Sequence, residues 1–437
     1  MTGIENFAND ASKKMESIFD PSNRSGQASL WPARVHAPSS YFDRCMLIFA
    51  PFCDQGLGIQ ALSYVHWLRY LGMRVCVFAS QPSKSSGANA PPRMQAHAAE
   101  WQVPSDVAVY YSDVSREVQT PAELVAFAQQ HGVTDAMMLE TAHANVFALS
   151  TALHEQLDVR VWAVPNIEMV RRSELKSRYD GSPFAGILCH NEYSMKVIRY
   201  LRPTLSSRLR LLPFALVSSN DTLQRCAPFD GRGPIRFLLV GGMNAVSRKR
   251  ADAVINVFRA IPALHGKATL TVTTQTAEPA LRSVPGLVTV ISRHLTRSEI
   301  LAIYGQHHVV IMLSRAEGLG IGLHEAMRAG CAVVTLRHQM YREHVAPTIN
   351  GWLVPFQEEP EAVTIATVGN DEPVTRSFTF RAMDLAEALK YIVSHPDEVR
   401  RRQLGARAAH DAVYTADRIS AAWNAALEPP QEPALDL

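Results

Sequence analysis

The sequence predicts an α/β protein built from two doubly wound domains of similar size, each with a mostly parallel sheet. Three observations support this fold class. Short apolar runs alternate with amphipathic segments along two long regions of the chain, which is the pattern of successive βαβ units. A polar stretch at residues 217–234 separates the two regions and is typical of a linker. The length of 437 residues also exceeds that of one ordinary domain.

The first region begins with the apolar run "CMLIFAPF", followed by the glycine turn "CDQGLGIQ", the amphipathic "ALSYVHWLRYLG" and the apolar "MRVCVFAS". This order is strand, turn, helix and strand, and the alternation continues to about residue 214. The second region repeats the alternation from "IRFLLVGG" to "CAVVTLR". Residues 357–378 interrupt the pattern and are predicted to be a loop or insertion. Two helical segments then close the chain.

The composition indicates a soluble globular protein, because 47% of the residues are hydrophobic and 19% are charged. Because the net charge is only +2, the molecule as a whole is not a highly charged protein of the kind that binds polyelectrolytes. The six cysteines show neither a CxxC pair nor a metal-ligand spacing, which favours a reducing compartment. The N-terminus lacks the apolar core of a signal peptide, and no window has the roughly 18 apolar residues of a spanning helix. We therefore expect a cytoplasmic protein, with peripheral membrane contact left open.

The stretch "SRAEGLGIGLHEAMRAG", residues 314–330, follows an apolar strand and enters a helix. Its glycines bring the backbone close to a ligand, and a helix N-terminus there favours a phosphate. Glu317 is expected at the strand end, and Glu325 one to two turns into the helix, where carboxylates accept hydrogen bonds from hydroxyls. Together these features indicate a nucleotide-sugar site; the alternative is a helix cap with a surface glutamate.

A second glycine turn, with Gly56 and Gly58, lies in "CDQGLGIQAL" between the first strand and helix. It could belong to a dinucleotide fingerprint, but the third glycine and an acidic residue after the second strand are missing. Alternatively, these two glycines serve only the packing of the helix in the fold.

Glu317 to Glu325, followed by "AMRAGCAVVTLRHQMYREHVAPTINGWLVP", resembles the E-x7-E signature region of retaining GT-B glycosyltransferases, family four in particular. Ala332 stands where that family usually has proline. The resemblance is specific over residues 235–356 and weaker over 44–216. It implies a GT-B fold, in which two Rossmann-like domains face each other across a cleft. The C-terminal domain would hold the nucleotide-sugar and the N-terminal domain the acceptor.

The resemblance also implies roles for individual residues. Members of the family end the strand corresponding to "FLLVGG" in Val-Gly-Arg, followed by a lysine, and both cations clasp the diphosphate. Here Gly242 replaces the arginine, so Lys249 is aligned with the family lysine and Arg248 stands in for the arginine. The resemblance further implies that Glu317 and the backbone of residues 318–321 contact the transferred sugar and that Glu325 contacts the ribose. Arg248 and Lys249 would contact the diphosphate. The expected catalytic residues are Glu317, Lys249, Arg248 and His143; the other expected donor-binding residues are Gly56, Gly58, Gly241, Gly242, Gly318, Leu319, Gly320, Ile321 and Glu325.

Asn166 and Glu168, in "VPNIEMV" after another predicted strand, are candidates for the acceptor. Nine Arg or Lys against three Asp or Glu lie between Arg171 and Arg210. This run is either an ordinary solvated face or a contact for an anionic acceptor such as a lipid phosphate, glycan or nucleic acid.

The predicted domains are an irregular extension at 1–40, an acceptor-side domain at 41–220, a nucleotide-sugar domain at 221–404, a helix at 405–428 and a tail at 429–437. The resemblance implies that the helix at 405–428 crosses back to the N-terminal domain. The predicted activity is retaining transfer of a hexosyl group from a nucleotide-diphosphate sugar to an acceptor hydroxyl, in glycan, glycolipid or glycoconjugate synthesis. No cofactor and no metal are expected, and the leaving phosphate would help deprotonate the acceptor on the same face of the sugar.

Three alternatives stay open at this point. One is a glycosyltransferase that modifies DNA or a nucleobase. Another is a nicotinamide-dependent oxidoreductase built on the "GLGIQ" turn. The third is a non-catalytic relative that binds nucleotide-sugar, which the Gly242 substitution leaves possible.

Overall fold

The computed structural model describes residues 41–428 except 42, 53–55, 82–102, 116, 142–143, 217–224 and 360–372. The described chain divides into two compact units. The N-terminal unit contains residues 41–216, 373–375 and 416–428, and the C-terminal unit contains residues 225–359 and 376–415. The chain therefore passes between the units more than once.

The N-terminal unit contains a seven-stranded sheet in the order β3-β2-β1-β4-β5-β6-β7, and all of its neighbouring strands are parallel. The strands are β1 (Cys45–Pro51), β2 (Arg74–Gln81), β3 (Ala108–Ser115), β4 (Asp135–Leu139), β5 (Arg160–Val164), β6 (Phe184–Cys189) and β7 (Leu209–Leu211). All residues of β1 and β4 are buried, as expected for parallel strands covered on both faces.

The C-terminal unit contains a six-stranded parallel sheet in the order β10-β9-β8-β11-β12-β13. Its strands are β8 (Ile235–Val240), β9 (Ala268–Thr274), β10 (Val288–Ser292), β11 (Val309–Met312), β12 (Ala332–Leu336) and β13 (Gly351–Val354). Each sheet reverses its strand order once, between β1 and β4 and between β8 and β11. Doubly wound sheets bind ligands outside the carboxyl ends of the strands at such points.

The longer helices alternate with the strands as the sequence predicts. They are α1 (Gly56–Tyr70), α2 (Pro121–Gln130), α3 (Ala144–Leu157), α4 (Glu192–Leu201), α5 (Ala251–Ala260), α6 (Arg297–Gly305), α7 (Ile321–Ala329), α8 (Ala382–Ser394), α9 (Pro396–Val413) and α10 (Ala416–Leu427). Shorter helical turns lie at Arg172–Glu174 and Gln339–Arg342. In the described part of the chain, no helix has both the length and the apolar character needed to cross a bilayer.

The end of the chain differs from the predicted helix at 405–428. Residue 405 lies inside α9, and the chain leaves the helical conformation at Tyr414, where φ is −101° and ψ is 43°. The half-buried Tyr414 ring packs against His324 and His410 of the C-terminal unit, and α9 ends at this contact. The next helix, α10, packs in the N-terminal unit, where Trp423 Nε1 donates to the Pro213 carbonyl (3.1 Å).

A buried charge cluster lies at the amino ends of β1, β4 and β5. The side chain of Asp135 is 0% exposed and accepts hydrogen bonds from Arg44 Nη2 (2.7 Å) and Arg160 Nε (2.7 Å). Trp162 Nε1 donates to the same carboxylate (3.2 Å). Burial by itself would raise the pKa of Asp135, but the hydrogen bonds and charges of the two arginines lower it. This cluster links three strands at their amino ends, which lie opposite the carboxyl ends where doubly wound sheets bind ligands.

The sequence predicts a loop or insertion at residues 357–378, and the structure describes both ends of this segment. The two ends pair with each other as a short antiparallel ribbon of β14 (Gln357–Glu358) and β15 (Phe378–Thr379). Pro373 forms a bridge with Arg171, and Val374 N donates to the Val170 carbonyl (3.0 Å), both within the N-terminal unit.

Candidate active site

The candidate site is built from two loops that follow neighbouring strands of the C-terminal sheet. We call residues 241–250, after β8, the basic loop, and residues 314–320, shortly after β11, the glycine loop. The strands β8 and β11 pair in parallel, with Val309 opposite Phe237 and Val310 opposite Leu238. Because the sheet reverses its order between them, both loops leave from the edge where such sheets bind ligands.

The start of the basic loop requires glycine. A Cβ on Gly241 would lie 2.5 Å from Ala245 Cβ and 2.7 Å from the Thr273 carbonyl oxygen. Gly242 follows with φ +61°, in the left-handed region that favours glycine. The amides of residues 248 and 249 then donate to the carbonyl of Asn244 (3.2 and 3.0 Å). The loop is therefore a compact turn before α5, with its cations at the end.

Lys249 and Glu317 form an ion pair between the two loops. Lys249 Nζ donates to Glu317 Oε2 and to Ser314 Oγ (3.2 Å), and Ser314 Oγ also lies 3.3 Å from Glu317 Oε2. The pair is largely shielded from solvent, since the Lys249 side chain is 16% exposed and that of Glu317 8%.

The environment keeps Glu317 ionised. Burial alone would raise the pKa of Glu317, but the charges of Lys249 and Arg248 outweigh this effect. A hydrogen bond from Lys249 and one from the backbone of Gly320 act in the same direction, and the pKa falls to about 2. The site thus holds a carboxylate able to accept hydrogen bonds and to stabilise a positive charge.

The glycine loop leads into α7. Gly320 is the residue before the helix and has φ +68° and ψ 38°, a left-handed conformation. A Cβ on Gly322, in the first turn, would lie 3.2 Å from the Tyr304 hydroxyl. Glycine therefore suits the left-handed backbone at residue 320 and the close approach of Tyr304 at residue 322. The amides of a helix N-terminus favour an anion.

Glu325, in the middle of α7, is buried and paired. Arg297 Nη1, from the first turn of α6, donates to Glu325 Oε1. The Glu325 side chain is 4% exposed and that of Arg297 17%. Tyr304 lies nearby, and burial together with the charge of Glu325 raises the pKa of its hydroxyl. Arg297 thus fixes one oxygen of Glu325, the carboxylate that the family resemblance predicts to contact the ribose.

The charges around the two loops are predominantly positive. A second carboxylate, Glu359, accepts from Arg250 Nη1 (3.0 Å) and Arg315 Nε (3.0 Å). Four cations, Arg248, Lys249, Arg250 and Arg315, are thereby gathered with the carboxylates of Glu317, Glu359 and Asp252, the last of which acts on the charge of Arg250. This excess of positive charge suits an anion such as a diphosphate.

The other expected site residues lie in the N-terminal unit. Asn166 and Glu168 follow β5, where Asn166 precedes a 3-10 turn at Ile167–Met169 and is mostly buried. Gly56 and Gly58 are the first and third residues of α1, which differs from the predicted glycine turn before a helix. The helix begins at the first of these glycines and not after them. Glycine is tolerated there because the first amides of a helix have no partner within the helix. His143 lies outside the described residues.

The basic run at 171–210 is mostly engaged within the protein. Arg208 donates to the carbonyls of Phe184 (2.7 Å), Tyr179 (3.0 Å) and Ser182 (2.9 Å). Three further cations pair with carboxylates: Arg178 with Glu174, Lys196 with Glu192 and Arg202 with Asp180. These contacts favour the interpretation of the run as an ordinary part of the fold.

Several residues of the site were not found from the sequence. Ser314, Arg315, Arg297 and Glu359 all contact predicted residues or their neighbours. Glu140, at the end of β4, also stands out, because it is a buried non-glycine residue with φ +52°. A capping box, in which Thr296 and Glu299 exchange hydrogen bonds, is visible in the sequence and marks the start of α6 just before Arg297. The other residues carry no local signal. Among the described residues, no group of three or more His, Cys, Asp or Glu side chains is arranged to hold a metal ion.

Known proteins resemble this chain in fold and over part of its sequence. Residues 234–369 match the family described as Glycosyl transferases group 1. No curated protein sequence matches the chain significantly. Many solved structures share the fold, at low sequence identity.

Three of these structures illustrate the similarity. Sucrose-phosphate synthase from Thermosynechococcus elongatus is 15% identical, with a TM-score of 0.62 over 87% of this chain and 98% of that chain. Anabaena Alr3699/HepE, solved in complex with UDP and glucose, is 12% identical, with a TM-score of 0.63 over 88% and 99%. The lipopolysaccharide outer core galactosyltransferase WaaB is 12% identical, with a TM-score of 0.56 over 88% and 98%. The chain therefore has the GT-B fold, and residues 234–369 are similar to the group 1 glycosyl transferases.

Proposed function

We propose that this protein is a retaining glycosyltransferase that moves a hexosyl group from a nucleotide-diphosphate sugar to an acceptor hydroxyl without a metal ion. The observation that carries the proposal is the shielded ion pair between Lys249 and Glu317. It joins the two loops at the carboxyl ends of β8 and β11, inside a domain of the group 1 glycosyl transferases.

The first role of the site is to bind the donor diphosphate. Arg248 and Lys249 supply positive charge on the basic loop, and the amides at the start of α7 supply hydrogen-bond donors. Lys249 is held by Glu317 in the structure. When a diphosphate binds, Lys249 exchanges part of this contact for a phosphate oxygen. Its charge then stabilises the negative charge that develops on the leaving group.

The second role is to hold the transferred sugar. Glu317 is ionised at neutral pH, because its pKa is about 2. Its carboxylate accepts hydrogen bonds from the sugar hydroxyls, together with the backbone of residues 318–321. It also stabilises the positive charge that the ring acquires as the glycosidic bond breaks. Glu325, with one oxygen fixed by Arg297, accepts hydrogen bonds from the ribose hydroxyls.

The acceptor is assigned to the N-terminal unit, with Asn166 and Glu168 as its contacts and with its hydroxyl near the catalytic candidate His143. The acceptor hydroxyl attacks on the same face from which the diphosphate leaves, and a phosphate oxygen takes its proton, so the configuration is retained. We place the activity in glycan, glycolipid or glycoconjugate synthesis in the cytoplasm. Peripheral membrane contact would suit a lipid-linked acceptor.

The donor base is tested with nucleotides, starting with UDP because HepE is solved with UDP and with UDP-glucose. Thermal unfolding is followed with UDP, GDP, ADP, CDP, dTDP and NAD. A ligand at about a hundred times its Kd adds roughly 2.7 kcal/mol to the free energy of unfolding. We expect one nucleoside diphosphate to raise the melting temperature and NAD to have no effect.

The variant Lys249→Ala and a matched control locate the binding site. The control is Lys267→Ala, because Lys267 is exposed and precedes β9 at the opposite edge of the same sheet. The nucleotide-induced shift should vanish in the first variant and persist in the second. A shift with NAD alone would indicate an oxidoreductase, and no shift with any compound would refute the proposal. Binding of a nucleotide-sugar without its turnover would indicate a non-catalytic relative.

A further inference from the structure

The ribbon of β14 and β15 reaches the candidate site through one residue. The ribbon is closed by Gln357 opposite Thr379 and Glu358 opposite Phe378, and Glu359 N donates to the Ser377 carbonyl (2.9 Å). Glu359 is therefore fixed at a known position on the ribbon. Its side chain is only 7% exposed.

Glu359 holds two arginines that belong to different loops. Arg250 Nη1, at the end of the basic loop, and Arg315 Nε, in the glycine loop, each lie 3.0 Å from Glu359 Oε1. Arg250 Nη1 also donates to Thr379 Oγ1 (2.7 Å) on the ribbon. One carboxylate oxygen thus links the two loops that carry Lys249 and Glu317.

The backbone of Arg250 shows what this contact maintains. Its φ of +59° and ψ of 32° are left-handed, a conformation that is unfavourable for a residue other than glycine. Such a residue persists when its surroundings determine its conformation. The guanidinium of Arg250 is held by Glu359 and Thr379 and lies 5.4 Å from the centre of the Phe380 ring. Because Lys249 immediately precedes this residue, the same conformation keeps Lys249 outside α5.

Arg315 links the same carboxylate to the rest of the basic loop. Its amide donates to the Arg248 carbonyl (2.9 Å), and its Nη1 donates to the Ser247 carbonyl (3.2 Å). The carbonyl of Arg315 in turn accepts from Phe378 N on the ribbon (2.8 Å). The position of Arg248 relative to the glycine loop therefore depends on these backbone hydrogen bonds and on the Arg315 side chain, which Glu359 holds.

We propose that Glu359 is a positioning residue, which holds the basic loop and the glycine loop in register and thereby sets the affinity for the donor diphosphate. The inference rests on the proposed function and gives a role to the ribbon at the ends of the insertion. Glu359 acts through Arg250 and Arg315 and does not itself bind the diphosphate, which its negative charge would repel.

Amide hydrogen exchange of the whole 437-residue chain tests the structural half of the proposal without any ligand. The variant is Glu359→Gln, which keeps the shape and removes the charge. The control is Glu358→Gln, the adjacent ribbon residue, whose exposed side chain pairs with exposed Arg376 (2.6 Å). We expect exchange at 242–251 and 314–320 to rise at least tenfold in Glu359→Gln and to stay at the wild-type rate in the control. Unchanged exchange in both segments would overturn the proposal.

Calorimetric titration with UDP, GDP, ADP and inorganic pyrophosphate tests the functional half. All proteins are measured well below the melting temperature of the least stable one, so that a general loss of stability does not change the measured Kd. We expect Glu359→Gln to weaken the binding of pyrophosphate and of the preferred nucleotide by about tenfold each. A wild-type Kd for both ligands, despite faster exchange, would reduce Glu359 to a purely structural residue and overturn the proposal.

The two proposals fail in different ways. A wild-type protein that binds none of the four ligands would refute the proposed function, and the predicted effect on affinity with it. Faster exchange in Glu359→Gln of that same protein would still show that Glu359 fixes the two loops. Normal nucleotide binding with equal affinity in wild type and Glu359→Gln would instead overturn only the role of Glu359.

Discussion

The ammonium group of Lys249 donates a hydrogen bond to the carboxylate of Glu317, across a sequence separation of 68 residues. The contact joins the loops that follow two neighbouring strands of one parallel sheet. It places a cation and an ionised carboxylate side by side in a shielded environment, where electrostatic interactions are stronger than in water. The following predictions start from this pair and extend to the contacts around it.

Glu317→Gln should abolish most of the turnover while the protein stays folded. The amide has the same shape but cannot stabilise a positive charge on the sugar ring. We expect kcat to fall by 10²–10³-fold, the usual loss when one electrostatic contact to a transition state is removed. The Kd for the nucleoside diphosphate should change by less than a few fold. Steady-state kinetics with titration calorimetry checks this, and near-normal kcat would remove Glu317 from the mechanism.

The stability of the C-terminal unit should depend on Glu317 at acidic pH. The pKa of Glu317 is lowered to about 2 in the folded protein, from about 4.3 in an unfolded chain. Its contribution is therefore fully present above about pH 4.3 and is lost as the pH falls through about 2. Each pKa unit corresponds to about 1.4 kcal/mol.

Urea unfolding of wild type and Glu317→Gln between pH 6 and pH 2.5 tests this dependence. The free energy of unfolding should fall more steeply with decreasing pH in the wild type than in the variant. Parallel curves would show that the carboxylate contributes no linked stability. The sign follows because the unfolded state binds the proton more tightly than the folded state.

Arg297→Ala should weaken the recognition of ribose. The variant removes the side chain that donates to Glu325 Oε1 and leaves the carboxylate less well oriented. We expect the preference for UDP over 2′-deoxy-UDP, or for the corresponding pair of the preferred base, to shrink by about tenfold. The matched control is Arg293→Ala, because Arg293 lies close to the start of the same helix but forms an exposed pair with Glu299 (2.7 Å). Equal discrimination in Arg297→Ala and wild type would contradict this role.

Asp135→Asn should destabilise the protein without changing nucleotide binding. The substitution leaves Arg44 and Arg160 without their shared buried carboxylate. Breaking such a cluster typically costs about 3–5 kcal/mol. Asp106→Asn serves as the control, since Asp106 forms an exposed pair with Arg69 (2.6 Å) and should change stability by less than about 1 kcal/mol. Chemical unfolding measures both effects, and a similar small loss in both variants would contradict the prediction.

Much of the fold follows from local patterns in the sequence. The apolar runs at β1, β4 and β8 are long enough for strands and too short for helices, and amphipathic segments follow them. The glycines before α7 and the two glutamates of the signature also stand out locally. These patterns predict two α/β units and a ligand site after β11, because burial on both faces of a parallel strand leaves a continuous apolar run.

Other features have no local signature. Sequence patterns gave neither the contact of Arg297 with Glu325 nor that of Glu359 with Arg250 and Arg315. The basic run at 171–210 looks like a surface for anions, yet many of its cations are paired within the protein. The helix predicted at 405–428 is divided between α9 and α10, because the chain leaves the helical conformation at Tyr414, which packs against His324.

The sequence by itself determined which residue types are present at each strand end, and therefore which chemistry the protein can perform. The tertiary structure decided which strand ends are neighbours, because strand order depends on long-range pairing and not on hydrophobic period. Only the adjacency of β8 and β11 brings Lys249 to Glu317. Likewise, only the pairing of β14 with β15 places Glu359 where it contacts Arg250 and Arg315. A charged side chain is retained in such a shielded position because opposite charges pair with it.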